Sequence, residues 1–168
     1  MALVALGLGS NLGNRLLNLK NALLSLERAG LTVTRASDVF ETPPWVVRDQ
    51  PYFLNACALL ECDLSPRDLL ELLKEIEARL GRTTTRRWGE RIIDLDILLM
   101  DSLVHYEPDL RIPHPEMHRR GFVLIPLARI LPDQPHPLTG RTIASMAEEF
   151  PDELRICSLR TPPPTFSR

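Results

Sequence analysis

The stretch RIIDLDILLM, residues 91–100, combines an apolar pattern with two acidic residues. Side chains two residues apart point to the same face of a β-strand. One face of this strand therefore carries four apolar residues that enter the core: Ile93, Leu95, Ile97 and Leu99. Asp94 and Asp96 share the other face. The pattern predicts a strand that is buried on one side and presents two carboxylates on the other.

Three more strands are predicted on the N-terminal side of this stretch, at residues 2–8, 33–41 and 52–61. Each is a short, mostly apolar run that ends at turn residues. The runs are separated by segments with helical periodicity or by proline-containing loops, which allows them to pair in one sheet.

Two amphipathic helices are predicted between the strands. In the first, leucines recur every three or four residues from Leu12 to Leu26, and Gly30 is placed to end it. The second begins at Ser65, a good N-cap that is followed by proline, and ends at Gly81. The resulting β-α-β-β-α-β order predicts a ferredoxin-like α+β fold, an antiparallel sheet with two helices on one face.

The C-terminal part predicts smaller elements. Residues 103–106 predict an edge strand, and 116–131 and 141–149 predict short helices. We expect one domain over residues 1–160, followed by a proline-rich tail at 161–168.

Composition excludes several classes of protein. The chain has 168 residues, of which 44% are hydrophobic and 25% charged, which is typical of a globular domain. The net charge of −2 provides no field that would attract nucleic acid or an anionic membrane. No apolar run approaches the roughly 18 residues of a membrane span, and the N-terminus lacks a signal-peptide pattern. We therefore expect a cytoplasmic protein whose three cysteines, Cys57, Cys62 and Cys157, are reduced.

The two aspartates need a cationic partner. Two like charges in a half-buried strand repel each other and lose hydration. Mg²⁺ is a natural counter-ion, since it binds one or two carboxylates together with substrate phosphates. An exposed strand face, or aspartates paired with nearby arginines, explains the spacing equally well.

The preceding loop favours a phosphate site. It contains four arginines within ten residues, Arg82, Arg86, Arg87 and Arg91. Arginines beside paired carboxylates suit a nucleoside triphosphate with magnesium. The alternative is a solvated loop whose arginines pair with the glutamates of the second helix, Glu71, Glu75 and Glu77.

Other candidate residues carry weaker signals. Gly9-Ser10-Asn11 could present backbone amides to a phosphate, although a plain turn is the simpler interpretation. His114 lies between two prolines, where a structural role is the more usual one. The aromatic residues Phe53, Phe122, Trp45 and Trp88 either fill the core or stack on a flat ligand.

Taken together, these motifs resemble a known family. Residues 87–98, RWGERIIDLDIL, are similar to the signature of 6-hydroxymethyl-7,8-dihydropterin pyrophosphokinase, an enzyme of folate biosynthesis. The same resemblance extends to Gly9-Ser10-Asn11, Thr42-Pro43-Pro44, Phe53-Leu54-Asn55, Glu77 with Gly81-Arg82, Pro113-His114 and Arg120-Gly121-Phe122. The motifs occur in the family's order over about residues 1–130. The family has a ferredoxin-like fold.

The resemblance implies a reaction and a site. ATP would bind with two Mg²⁺ ions, and its terminal diphosphate would pass whole to the pterin hydroxymethyl oxygen, leaving AMP. The implied catalytic residues are Arg82, Arg91, Asp94 and Asp96, of which the two aspartates hold both metal ions. The implied ATP contacts are Glu77, Trp88, Arg91, Ile97, His114 and Arg120. The implied pterin contacts are Thr42, Pro43, Pro44, Trp45, Phe53, Asn55 and Phe122. We expect a monomer.

The chain departs from the family pattern at three positions. Phe53 stands where tyrosine is frequent, Pro115 where an aromatic residue is common, and Asp109 where a basic residue is known.

Two other functions are alternatives to this pyrophosphokinase. RNA-recognition domains share the element order, and Arg120-Gly121-Phe122-Val123 resembles part of their motif, although that motif belongs on the third strand. A D-x-D metal-dependent nucleotidyl or glycosyl transferase is the other alternative.

Overall fold

The computed structural model describes residues 1–43, 49–81 and 91–150. The strands and helices of its first part are β1 (Ala2–Ser10), α1 (Arg15–Arg28), β2 (Thr32–Ala36), β3 (Phe40–Thr42), β4 (Phe53–Cys62), α2 (Pro66–Arg79) and β5 (Asp94–Met100). The second part contains β6 (His105–Glu107), β7 (Leu110–Ile112), a 3-10 turn (Met117–Arg119), α3 (Gly121–Ile130) and α4 (Ile143–Ala147).

The main sheet has the predicted topology. Its strand order is β2-β4-β1-β5, and all neighbours are antiparallel. The second predicted strand is broken in two, because β2 pairs with one end of β4 and β3 with the other. Between them Ser37 stays tied to β4: its N–H donates to the Cys57 carbonyl and its Oγ accepts from the Cys57 N–H, both at 2.8 Å. The ferredoxin-like arrangement is therefore confirmed, with an edge strand that is interrupted once.

Local signals place the two long helices. The Asn14 side chain caps α1 by accepting from the Leu17 N–H, and Ser65 caps α2 by accepting from the Asp68 N–H, each at 3.1 Å. Gly30 and Gly81 follow the helix ends with φ of +92° and +94°, a conformation that glycine adopts without strain. Both helices pack on one face of the sheet, where they bury the larger hydrophobic core.

The other face of the sheet is covered only in part. Helices α3 and α4 bury a second apolar cluster there, against side chains of β1, β4 and β5. A bulge in β5 supports this packing: Leu6 pairs with Ile97 and Ala5 with Leu99, so Leu98 is an extra residue. As a result, Leu98 and Leu99 both contribute to this cluster, so the prediction that Leu99 shares a face with Ile93, Leu95 and Ile97 is wrong. The rest of the face is left open.

One predicted element is wrong. Residues 103–106 do not add an edge strand to the main sheet. Instead, β6 begins at His105 and pairs with β7 in a separate hairpin. Arg67 of α2 holds this hairpin, donating to both Asp109 carboxylate oxygens, at 2.9 and 2.6 Å, and to Glu107. Asp109 is thus a structural ion-pair partner, and the Arg67 guanidinium lowers the pKa of its carboxyl to about 2.

Some expectations lie outside the described residues. These are three of the loop arginines (Arg82, Arg86 and Arg87), Cys157 and the domain boundary at residue 160. The two other cysteines, Cys57 and Cys62, are free and buried. No helix within residues 1–43, 49–81 and 91–150 is long and apolar enough to cross a membrane.

Replacing the N-cap of α2 tests the local origin of that helix. We expect Ser65→Ala to lower the free energy of unfolding by about 1 kcal/mol, because the Asp68 N–H loses its acceptor. Ser65→Asp is the matched control, since its carboxylate can accept the same hydrogen bond. Urea denaturation measures both. Equal stability of Ser65→Ala and the wild type would contradict the cap.

Candidate functional site

A cleft of about 700 Å³ opens on the sheet face opposite α1 and α2. Its floor is formed by β1, β4 and β5, and its wall by the segment from His114 to Val123. The cleft exists because α3 and α4 cover only one end of this face.

Two glycines form the middle of the floor. On β1, Gly7 pairs with Asp96 and Gly9 pairs with Asp94. A Cβ at Gly9 would lie only 3.1 Å from Asn55 Oδ1 on β4. The central strand therefore contributes backbone alone at these positions, and the side chains of β4 and β5 stand on either side of it.

The predicted carboxylate pair is present. Asp94 and Asp96 are half-buried and line the cleft, while the intervening Leu95 is buried on the helix-covered face. The prediction that the two aspartates share one face is confirmed. Arg91 lines the same cleft just before them.

The start of α3 supplies a second cationic group. Arg120, whose side chain is buried, places its guanidinium carbon 5.7 Å from the centroid of the Phe122 ring. Its carbonyl accepts from the Val123 and Leu124 N–H groups, both at 3.0 Å, so the first turn of the helix is closed beside the cleft. The positive end of the helix dipole lies there as well.

Because Arg120-Gly121-Phe122-Val123 starts a helix, it does not form the strand motif of an RNA-recognition domain.

His114 is held in a defined protonation state. Its backbone N–H donates to the Leu98 carbonyl at 2.9 Å, and its Nδ1 accepts from the Glu116 N–H at 3.1 Å. The neutral ring therefore carries its proton on Nε2. The pKa of His114 is lowered from its ordinary value of 6.5 to about 4, mainly by burial and also by the Arg120 charge, while Glu116 opposes the shift. At neutral pH His114 is an uncharged hydrogen-bond donor.

Polar and aromatic groups of β3 and β4 form the opposite side of the cleft. Asn55 Nδ2 donates to Thr42 Oγ1 at 2.5 Å, and both side chains are buried. Phe53 is half-buried beside them, and Pro43 completes this side. The hydrogen bond fixes the Asn55 amide.

Several predicted site residues are not in the cleft. Glu77 is buried on α2, and its carboxylate accepts from the Leu95 N–H at 3.1 Å. Ile97 packs into the core under the helices. Neither residue lines the cleft, because both belong to the helix-covered side of the sheet, so the cleft geometry does not support their predicted ATP contacts. Four others lie outside the described residues: Pro44, Trp45, Arg82 and Trp88.

Sequence reasoning left one motif open between a plain turn and a phosphate site, and it missed one residue. Gly9 and Ser10 are the last residues of β1, and the Asn11 N–H donates to the Arg91 carbonyl at 3.0 Å. That amide is therefore occupied and does not face a phosphate. Gly7 was not singled out, although the alternation LGLGS at residues 6–10 signals a strand with one face free of bulk.

Comparison with known proteins agrees with this geometry. Residues 5–132 match the family 7,8-dihydro-6-hydroxymethylpterin-pyrophosphokinase (HPPK). The chain belongs to this family. The HPPK match covers all the elements that build the cleft, from β1 to α3.

Individual relatives support the assignment to HPPK. The chain is 42% identical over 130 residues to the 2-amino-4-hydroxy-6-hydroxymethyldihydropteridine pyrophosphokinase of Methylorubrum extorquens, covering 76% of this chain and 82% of that protein. It is 45% identical over 126 residues to the Bacillus subtilis protein of the same name, covering 74% and 75%. The structure is similar to that of Plasmodium falciparum HPPK-DHPS, with a TM-score of 0.70 and 18% identity, over 89% of this chain and 43% of that longer chain. This last likeness concerns the fold alone.

The state of His114 predicts how stability depends on pH. Above pH 6.5 His114 is neutral in both the folded and the unfolded chain. Between pH 6.5 and about 4 the unfolded chain takes up a proton that the folded His114 does not, so this residue's contribution to stability is lost as the pH falls. We expect His114→Asn to flatten the decline of unfolding free energy in this range, as measured by urea denaturation at several pH values. An unchanged slope would contradict the neutral assignment.

Proposed function

We propose that this chain transfers the terminal diphosphate of ATP to the hydroxymethyl oxygen of 6-hydroxymethyl-7,8-dihydropterin, a step of folate biosynthesis that releases AMP. The names of its relatives specify that pterin and that type of transfer. The observation that carries the proposal is that two aspartates, two arginines and two phenyl rings line a single cleft. One cleft can therefore accommodate both a polyphosphate and a flat heterocycle.

Asp94 and Asp96 fit a magnesium site that is completed by substrate. Their carboxylates are hard oxygen ligands on one half-buried face. Within the described residues, no group of three or more His, Cys, Asp or Glu side chains could hold a metal by itself. The two Mg²⁺ ions that the family resemblance implies would be held by the aspartates together with the ATP phosphates. Bound there, the ions would neutralise phosphate charge and polarise the transferred group.

The basic residues line the same cleft as the aspartates. Arg91 and Arg120 would bind the phosphates, and His114 would add an uncharged donor. Phosphoryl-type transfer needs positioning and charge stabilisation more than covalent help, which is what such residues supply. Arg82 and Trp88 belong to the same proposal through their sequence positions.

The pterin would occupy the part of the cleft that the ATP phosphates leave free. Phe53 and Phe122 supply aromatic faces for the ring, while Asn55 and Thr42 supply a buried hydrogen-bonding edge. Phe53 retains the stacking surface of the tyrosine that is frequent here. Pro43, Pro44 and Trp45 belong to this side by sequence.

The reaction is then an in-line displacement. The pterin hydroxymethyl oxygen forms a bond to the β-phosphorus, and the bond from that phosphorus to the oxygen bridging the α-phosphorus breaks. AMP departs with the bridging oxygen. Asp94 is the candidate acceptor for the hydroxyl proton because it lies in the cleft among the phosphate-binding groups.

We further propose that the protein acts as a monomer in the cytoplasm. The two described cysteines are free and buried, as in a reducing compartment. Size-exclusion chromatography with light scattering tests the monomer.

The activity assay is direct. The purified protein is mixed with ATP, Mg²⁺ and 6-hydroxymethyl-7,8-dihydropterin, and the nucleotide product is separated by ion exchange. We expect AMP that appears only when the pterin is present. ADP, or no turnover at all, would contradict the proposal and favour another transferase.

Removing one carboxylate should abolish the reaction. We expect Asp96→Ala to fold normally but to lower kcat by about 10²-fold or more, because the phosphates lose a metal-bridged anchor. Asp133→Ala, at an exposed loop position far along the chain, is the control. Turnover at the wild-type rate in saturating Mg²⁺ would exclude this role.

The glycine floor predicts a steric effect on the pterin side. At Gly9 an added Cβ would crowd Asn55 Oδ1, so we expect Gly9→Ala to raise the KM for the pterin about tenfold, or about 1.4 kcal/mol. At Gly7 the added Cβ would only contact the Leu98 side chain, at 3.5 Å. Gly7→Ala is the matched comparison, and steady-state kinetics should show a much smaller change. Equal effects of the two variants would contradict the prediction.

A further inference from the structure

Asn11 lies directly after β1, and only 2% of its surface is exposed. Its side-chain amide is fully engaged. The Oδ1 atom accepts from the Arg91 N–H at 2.7 Å, and Nδ2 donates to Gln50 Oε1 at 3.0 Å and to the Pro51 carbonyl at 3.1 Å. Its backbone N–H donates to the Arg91 carbonyl at 3.0 Å.

These bonds reach both sides of the cleft. Arg91 lies three residues before Asp94, on the side where the phosphates would bind. Gln50 and Pro51 come just before Phe53, on the side where the pterin would bind. One buried amide thus joins two segments that are 41 positions apart in the chain, from residue 50 to residue 91.

The bonds from Asn11 to Arg91 lie beyond the end of the strand pairing. The last pair between β1 and β5 is Gly9 with Asp94, and residues 91–93 belong to no strand. Asn11 extends the contact beyond the ladder with one backbone and one side-chain hydrogen bond. Reacting groups that are misplaced by about 1 Å can slow catalysis about 10²-fold.

We propose that Asn11 is a positioning residue of the active site. Its Oδ1 fixes the backbone of Arg91 on the phosphate side, and its Nδ2 fixes Gln50 and Pro51 on the pterin side. The inference rests on the proposed function because it acts through the phosphate-binding role of Arg91. Asn11 itself need touch neither substrate.

A structural readout tests the anchor without any assay of activity. We expect the Arg91 amide hydrogen to exchange at least about tenfold faster in Asn11→Ala than in the wild type, because the acceptor at 2.7 Å is lost. Asn11→Asp keeps an oxygen at that position, so the Arg91 amide should stay protected. Amides of the β1–β4 ladder serve as the internal reference.

Asn18→Ala is the matched control variant. Asn18 Nδ2 also ties the end of β1, donating to Ser10 Oγ at 3.1 Å and to the Leu12 carbonyl at 2.8 Å, but it reaches neither side of the cleft. We expect both alanine variants to lower Tm. Only Asn11→Ala should lower kcat, by about tenfold or more, while Asn18→Ala stays within about threefold of the wild type.

A double-mutant cycle shows whether Asn11 acts through Arg91. In an Arg91→Ala background, Asn11→Ala should reduce kcat much less than it does in the wild type, since the side chain that it positions is already absent.

Asn11→Asp should bind a non-hydrolysable ATP analogue with Mg²⁺ nearly as the wild type does, yet raise the KM for the pterin, because only the two donated bonds are lost. If Asn11→Ala does not fold, this variant carries the test.

The outcomes separate the two proposals. Unchanged Arg91 exchange in Asn11→Ala, equal losses of kcat in Asn11→Ala and Asn18→Ala, or fully multiplicative effects in the cycle would each overturn the positioning role. Absence of AMP formation by the wild type would instead overturn the proposed function, and the exchange measurement would still decide whether Asn11 anchors Arg91.

Discussion

The antiparallel pairing of β1 with β5 is the constraint on which the site depends. It sets Gly7 beside Asp96 and Gly9 beside Asp94, so that the two carboxylates lie next to two positions of β1 that have no side chain. A side chain on β1 would fill the space between the acidic strand and β4. The backbone hydrogen bonds of the ladder hold this arrangement, and a slip of one residue would turn both aspartates into the core.

One face of the sheet carries the larger hydrophobic core, and the other face carries the cleft. The face under α1 and α2 carries the larger apolar core, which includes Leu95 and Ile97 from the same strand as the aspartates. On the other face α3 and α4 cover only one end, and the bulge at Leu98 directs two successive leucines into that smaller cluster. The cleft is the part of the sheet that the second cluster leaves uncovered, and α3 brings Arg120 and Phe122 to its edge.

The cleft brings together carboxylates and arginines, which carry opposite charges. This combination suits a polyphosphate that binds together with metal cations. His114 adds a hydrogen-bond donor without adding charge, because burial keeps its pKa near 4. This set of groups fits the proposed use of ATP with Mg²⁺.

Local pattern was enough to predict the four segments of the main sheet, the two long helices, the Ser65 cap of α2 and the shared face of Asp94 and Asp96, because periodicity and capping act over a few residues. The contacts across the sheet were decided by the tertiary structure. The break between β2 and β3, the anchoring of the β6–β7 hairpin by Arg67, and the burial of Glu77 against Leu95 all depend on partners distant in the chain. Asn11 shows the reason most clearly: its amide bonds residues 39, 40 and 80 positions away, and such pairings have no signature in the local sequence.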